Sequence, residues 1–416
     1  MRGFAPWLIA MSCGVLACDD GDGASASADA TRCADAGSMP DRAVPDAAPV
    51  VDAAPPGPVD IDAGPDPTDV ARRLAEHCEA HVGPARVEEV APDLFVAIGY
   101  DLANTILLRT ADGNVIVDAG MSPARARATR AALDEVAPGP VAAVIYTHSH
   151  VDHLGGASVW VDDGTPVFAT EALLGNLVGQ YGAFAQAESA RGRLQFGQGV
   201  PEDLLPCSAL GRRADVDAAR NSGARLPTET FTGHRALDFG GVAVELFEAP
   251  GETEDQLFVW IPHLDALLPG DNYYAAFPNL YTLRGTTPRP VDGWLRSLDA
   301  MRRLDPAVLA PSHTAPLLGR PAIREALTGY RDGIQWVRDA VVRGANAGLP
   351  LDAIVARAAL PAHLAAEPAL AELYGQVDWS ARALYGNHLG WFDGREATLY
   401  PPRHVIAREI ALMGGA

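Results

Sequence analysis

The chain has 416 residues, with 32 basic and 53 acidic side chains and a formal net charge of -21. Every basic residue is an arginine, which removes lysine Schiff-base chemistry, the P-loop lysine and the kinase-type lysine together. The acidic excess argues against binding nucleic acid or an anionic membrane surface, while 48% hydrophobic residues allow a sizeable core.

Residues 1–18 read as an export signal. Arg2 is a short positive start, Phe4 to Leu16 is mostly apolar, and small residues precede Cys18. The run is too short for a transmembrane helix. Val15-Leu16-Ala17-Cys18 resembles a bacterial lipobox, whose cysteine is acylated and becomes the mature N-terminus; a plain secretory signal is the alternative. The expectation is an exported protein of the cell envelope, periplasmic or on the outer surface, that meets a membrane only through a lipid on Cys18. Residues 19–69 hold twelve Asp against Arg32 and Arg42 and almost no large apolar side chains. Such a segment buries too little surface to offset its ordering entropy and reads as a flexible tether. The five cysteines include no C-x-x-C pair. Cys78 and Cys207 form either a disulfide or two free buried thiols, and both readings stay open.

A folded pattern of strands and helices follows, taken as one catalytic domain over 70–320. Leu94 to Ile98, Thr105 to Leu108, Val115 to Val117 and Val141 to Tyr146 read as strands, and Ser122-Pro123 as the N-cap and first position of a helix to about Val136. Further strands are expected at 166–169, 242–248, 257–261, 265–268 and 307–310. This alternation points to an α/β sandwich. The Gly-, Arg- and Gln-rich stretch at about 171–235 breaks the rhythm and reads as an inserted cap. After Pro321, Ile323, Leu327, Tyr330, Ile334, Val337 and Val341 recur at steps of four and three, one apolar face of a long helix ending near Gly348 and Pro350. Residues 321–416 are expected to be all-helical.

The sharpest signal is Thr147-His148-Ser149-His150-Val151-Asp152-His153-Leu154-Gly155-Gly156, directly after the strand ending at Tyr146. Three imidazoles and a carboxylate within six residues, leaving a strand, suit two adjacent borderline metals. His148 and His150 share one side of the extended part; Asp152 and His153 begin the next turn and face a second ion. His77, His81, His234, His263, His363 and His404 lack partner spacing and read as structural or surface residues.

This H-x-H-x-D-H run resembles the signature of the metallo-β-lactamase superfamily. Ala249-Pro250-Gly251-Glu252-Thr253 resembles that family's glycine-histidine-threonine turn, with Glu252 in the histidine's place. Gly270-Asp271 matches the carboxylate that bridges both ions, and Ser312-His313 the last ligand. Glutamate at 252 is similar to the alkyl sulfatase branch, the dodecyl-sulfate hydrolases. So are Asn279-Leu280-Tyr281-Thr282-Leu283-Arg284-Gly285, Gly99-Tyr100-Asp101-Leu102-Ala103-Asn104 and Leu389-Gly390-Trp391-Phe392-Asp393-Gly394.

The resemblance covers about residues 90 to 400. It implies an αββα sandwich followed by a helical dimerisation domain at 321–416, hence a homodimer. It further implies two Zn²⁺ on His148, His150, Asp152, His153, Glu252, Asp271 and His313, and a metal-bound hydroxide that attacks a small anionic ester. Arg284 and Asn279 are expected to hold the sulfate. The chain departs from the branch at Asp271, where the family has glutamate, at Trp379 and Ser380, which replace a His-Asn pair, and at His388, which replaces tyrosine. It also stops at Ala416 without the further sterol-carrier-type domain common in the family. The leading expectation is a zinc-dependent alkyl sulfatase. The alternatives are the same fold acting on another ester, lactone, phosphodiester or β-lactam, and a non-catalytic zinc-binding envelope lipoprotein.

Overall fold

The structure, a computed structural model, describes residues 67–202, 204–217, 221–392 and 403–413. The export signal with Cys18 and nearly all of the tether lie outside them. Helix α1 (Pro67–His81) begins three residues inside the stretch read as tether. Proline's fixed φ suits a first helical turn, and Asp69 and Glu76 both pair with Arg72 along the helix surface. Among the described residues no helix is long and apolar enough to cross a membrane.

Two sheets form the centre. The first runs in the order β1 (Arg86–Ala91), β2 (Leu94–Ile98), β3 (Thr105–Thr110), β4 (Gly113–Val117), β5 (Val141–Ile145), β6 (Val167–Thr170) and β7 (Glu229–Phe231). Its first four strands are antiparallel and its last four parallel. The second contains β8 (His234–Phe239), β9 (Val242–Glu248), β10 (Leu257–Ile261), β11 (Ala266–Leu268), β12 (Val308–Leu309) and β13 (Leu317–Leu318), neighbours in that order, with only β11 and β12 parallel.

The period-two alternation of strand side chains builds the layers. Leu94, Val96 and Ile98 face Leu246, Val259 and Ile261 across the sandwich in one buried cluster. Phe95 and Ala97 face outward, where they meet Ala126 and Leu133 of α2 (Pro123–Val136) and Trp160. On the far side Phe258 and Trp260 of β10 join Trp294 and Leu298 of α6 (Val291–Leu304) and the stripe of α7 (Arg320–Asn346). All six expected stripe residues of α7 are buried. The result is the αββα sandwich expected from the sequence, followed by α8 (Leu351–Arg357), α9 (Ala362–Ala365), α10 (Val377–Leu389) and a terminal helix, Arg403–Leu412. Ser122 caps α2 as expected, its hydroxyl accepting from the Arg125 amide at 3.4 Å.

The inserted stretch holds α4 (Leu173–Tyr181) and α5 (Ala185–Gln195). It is shorter than expected, because β7 and the start of β8 fall inside 171–235 and belong to the two sheets. Cys78 of α1 and Cys207 are disulfide-bonded, which settles that choice and ties α1 to the segment after α5.

Candidate metal centre

Each of the seven expected ligands stands just beyond a strand. His148 and His150 leave β5, and α3 (Val151–Leu154) starts at once, with His150 as its N-cap residue and Asp152 and His153 on its single turn. Glu252 lies in the turn after β9, Asp271 after β11, and His313 after β12. Two glycines make the close approach possible. A Cβ on Gly155 would meet the Met121 carbonyl oxygen at 2.0 Å, and Gly270 combines φ +59° with a Cβ position 2.9 Å from Thr147.

The structure brings all seven together, each at most 8% exposed. Their ligand atoms fall into three overlapping groups: His148, His153 and Asp271; Asp152, His153 and His313; and His150, Glu252 and Asp271. Asp271 Oδ2 lies 3.1 Å from His313 Nε2, 3.5 Å from His153 Nε2 and 3.8 Å from His148 Nε2, at the centre of the group. His150 Nδ1 lies 3.8 Å from Glu252 Oε1.

Neighbours outside this group fix the imidazoles. His153 Nδ1 donates to Asp118 Oδ2 at 2.7 Å, and His313 Nδ1 to the Leu102 carbonyl at 2.9 Å. Both rings therefore turn Nε2 toward the carboxylates. His153 Nε2 and Asp271 Oδ1 are buried with no hydrogen-bond partner. Buried acceptors gathered in one cluster call for a cation, and this N/O donor set suits zinc. Without metal, protons take that place. Burial would lower the His153 pKa, but Asp271, Asp118 and Asp152 hold it well above the usual histidine range. Burial and neighbouring His153 push His148 down to about 3. Burial would raise the Asp271 pKa, yet His313, His153 and His148 keep it well below the usual carboxylate range.

Sequence reasoning missed several residues here. Asp118, next after β4, also accepts from Thr147 Oγ1 at 2.9 Å and Ser312 Oγ at 2.6 Å; a carboxylate at a strand end followed by Ala119-Gly120 was its readable signal. Asn272 accepts from the Glu252 amide at 3.0 Å and donates to the Ala249 carbonyl at 2.8 Å, shaping that turn. Arg289 forms a buried ion pair with Glu252, and no sequence pattern marks it.

A cavity of about 460 Å³ opens on the cluster. Apolar side chains such as Leu102, Met121, Leu177 and Val216 line it, together with Arg284 and Tyr374. Arg284 pairs with Glu188 of α5 at 2.9 Å, and its Nη2 is 3.2 Å from His150 Nε2. Asn279 does not join it. It lines a separate, smaller cavity, because the chain between Asn279 and Arg284 turns the two side chains to different sides.

Residues 98–313 match the family model described as metallo-beta-lactamase superfamily, and the chain belongs to that superfamily. Residues 351–416 match a second model, alkyl sulfatase dimerisation. This pairing agrees with the resemblance in the sequence. A linear primary-alkylsulfatase of Pseudomonas sp. is 34% identical over 321 residues, 74% of this chain and 60% of that protein. An (R)-specific secondary-alkylsulfatase of Pseudomonas sp. is 30% identical over 79% of this chain and 52% of its own length. The solved structure of a stereoselective inverting sec-alkylsulfatase from Pseudomonas sp. superposes with a TM-score of 0.72 at 28% identity, over 83% of this chain and 56% of that one. The chain thus spans between half and two thirds of the length of these relatives.

Proposed function

We propose that this protein hydrolyses sulfate esters of aliphatic alcohols with two zinc ions. The observation that carries this reading is the pairing of an arginine-flanked acid–histidine cluster with an apolar cavity of about 460 Å³, since a sulfate monoester of a fatty alcohol has the same two halves. His148, His150 and Glu252 would hold one ion, Asp152, His153 and His313 the other, and Asp271 both. Zinc supplies Lewis acidity and an activated water at neutral pH. The chain's own residues do the rest. Arg284, with its fork oriented by Glu188 and Thr282, attracts the sulfate, and the apolar wall excludes water around the carbon chain. The C-terminal helices join two copies into a homodimer. The disulfide supports a site of action outside the cytoplasm.

The test is sulfate release from dodecyl sulfate by zinc-loaded protein, beside a panel of a β-lactam, a lactone and a phosphodiester. Turnover of a panel compound without turnover of the sulfate ester would overturn the proposal. Elemental analysis of Glu252→Ala should show about one zinc per chain instead of about two.

A further inference from the structure

α5 turns Ala185, Glu188, Ser189 and Gly192 toward the cavity that opens on the cluster, the i, i+3, i+4 and i+7 positions of one helical face. Ala185, Ser189 and Gly192 are small, and Glu188 alone carries a charge. Among the described residues that line this cavity, Glu188 is the one carboxylate outside the seven expected ligands, and Arg284 is the one arginine. Glu188 Oε1 accepts from Arg284 Nε at 2.9 Å, with side chains only 15% and 8% exposed.

α5 grips Arg284 at two points. Gln195 Oε1 accepts from the Arg284 amide at 2.7 Å, and Glu188, two turns earlier, takes the guanidinium. Thr282 Oγ1 accepts from Arg284 Nη1 at 3.0 Å, and Nη2 stands 3.2 Å from His150 Nε2. Each Nη atom carries a second N–H, which leaves donors for an anion beside the cluster. Two neutral acceptors, Gln195 and Thr282, thus already hold the backbone and the fork. Orienting the arginine calls for no charge at position 188, and a largely buried carboxylate on an apolar wall costs desolvation free energy. What Glu188 adds, and a neutral acceptor would not, is a negative charge one guanidinium away from His150 and the acid–histidine cluster.

We propose that Glu188 sets the charge of the headgroup this site accepts: it offsets Arg284, so that a singly charged ester is matched and a doubly charged one is disfavoured. The chemistry selected is the sulfate monoester, with a single negative charge, over the phosphate monoester of similar shape, which carries roughly two at neutral pH. Glu188 is a specificity residue and takes no part in breaking the ester bond. Its repulsion grows with every charge on the headgroup, and the low dielectric of the cavity strengthens it. Arg284 answers the first charge and leaves the second unmatched. The inference rests on the sulfate-ester reading above and adds the reason that a cation-rich site would prefer the less charged ester.

The experiment measures binding as well as turnover on zinc-loaded, full-length protein. Calorimetry gives Kd for dodecanesulfonate and for dodecylphosphonate at a pH where the phosphonate carries both its charges. Glu188→Gln keeps an acceptor for Arg284 Nε and removes the negative charge. It should shift the ratio of the two Kd values toward the phosphonate by about 10- to 100-fold, the effect of a unit charge a few ångströms away at an effective dielectric constant of about 20. The kcat/KM ratio of dodecyl phosphate to dodecyl sulfate should move the same way. Glu188→Asp, which keeps the charge and lengthens the contact, should weaken both anions and leave their ratio as in the parent. An unchanged ratio in Glu188→Gln would overturn the inference. So would an equal loss of both anions, the result of a role confined to orienting Arg284, or a loss of zinc from that variant by elemental analysis. Failure of both anions to bind the parent would overturn it as well. If the Kd ratios shift as expected while the parent leaves dodecyl sulfate intact, the sulfate-ester reading fails and the charge selection stands.

Discussion

Arg289 and Glu252 form an ion pair with side chains only 1% and 3% exposed. Burial raises the Glu252 pKa, and Arg289 opposes that rise more than any other group. In the metal-free protein the arginine is the main countercharge of this carboxylate; once an ion binds, the two cations share it. Arg289→Met should therefore destabilise chelator-treated protein by roughly 3–5 kcal/mol, the usual cost of orphaning a buried charge, and zinc-loaded protein by clearly less. Thermal unfolding of variant and parent, with chelator and with zinc, measures this. Equal losses in both conditions would mean that the ion does not replace the pair.

Asp118 receives hydrogen bonds from His153, Thr147 and Ser312 and lines neither of the two cavities described above. Asp118→Asn keeps the shape but substitutes a donor for one acceptor. We expect zinc affinity or turnover to fall about 10- to 100-fold, as for other residues that orient a ligand, with little change in the far-ultraviolet spectrum. Zinc competition titration is the direct readout; unchanged affinity and turnover would remove Asp118 from the site.

Asp101 is buried, and desolvation lifts its pKa to about 6 although Met121 and Leu102 donate amides to it. Between its ordinary value of 3.8 and about 6 the folded protein binds more of this proton than the unfolded chain does. Stability from this group is therefore greatest below the unfolded pKa and is lost as pH rises through 6, by about 3 kcal/mol in all. Asp101→Asn removes that slope at the expense of one acceptor. Relative to the parent, the variant should gain stability from pH 4 to 7, as read from urea unfolding. A difference independent of pH would show that Asp101 titrates normally.

The Cys78–Cys207 bond spans 129 residues of sequence. By the entropy of closing so long a loop, Cys78→Ser with Cys207→Ser should cost about 2–5 kcal/mol, and reductant should lower the melting temperature of the parent but not of the double variant. An unaltered parent melting curve in reductant would indicate that the bond does not form.

Much of the centre was legible because its signals are local. His148, His150, Asp152 and His153 sit within six residues, and Glu252, Asp271 and His313 each follow an apolar strand. The α7 stripe was legible through its period; the stripe of α6, Val291, Trp294, Leu295, Leu298 and Met301, follows the same rule and was equally open to reading. β8 was not, since four of its six side chains are exposed and carry no alternation. Arg289 and Tyr374 reach the site through tertiary folding, and nothing beside them in sequence announces it. Asn279 shows the converse limit: five positions from Arg284, it was placed beside it, and the intervening turn sends the two side chains into different chambers.

Two family models divide this chain, but its interior respects no such border. One apolar cluster runs from Phe258 of β10 to Leu384 of α10, the Phe277 amide donates to the Ala371 carbonyl at 2.8 Å, and Tyr374 closes the cavity over the acid–histidine cluster. The segment matched to the dimerisation model therefore also lines the cavity that opens on the cluster. Exchanging it between homologues would alter the cavity wall as well as the C-terminal helices, and a cut at the family border would yield two halves that each expose what the other was shaped to cover.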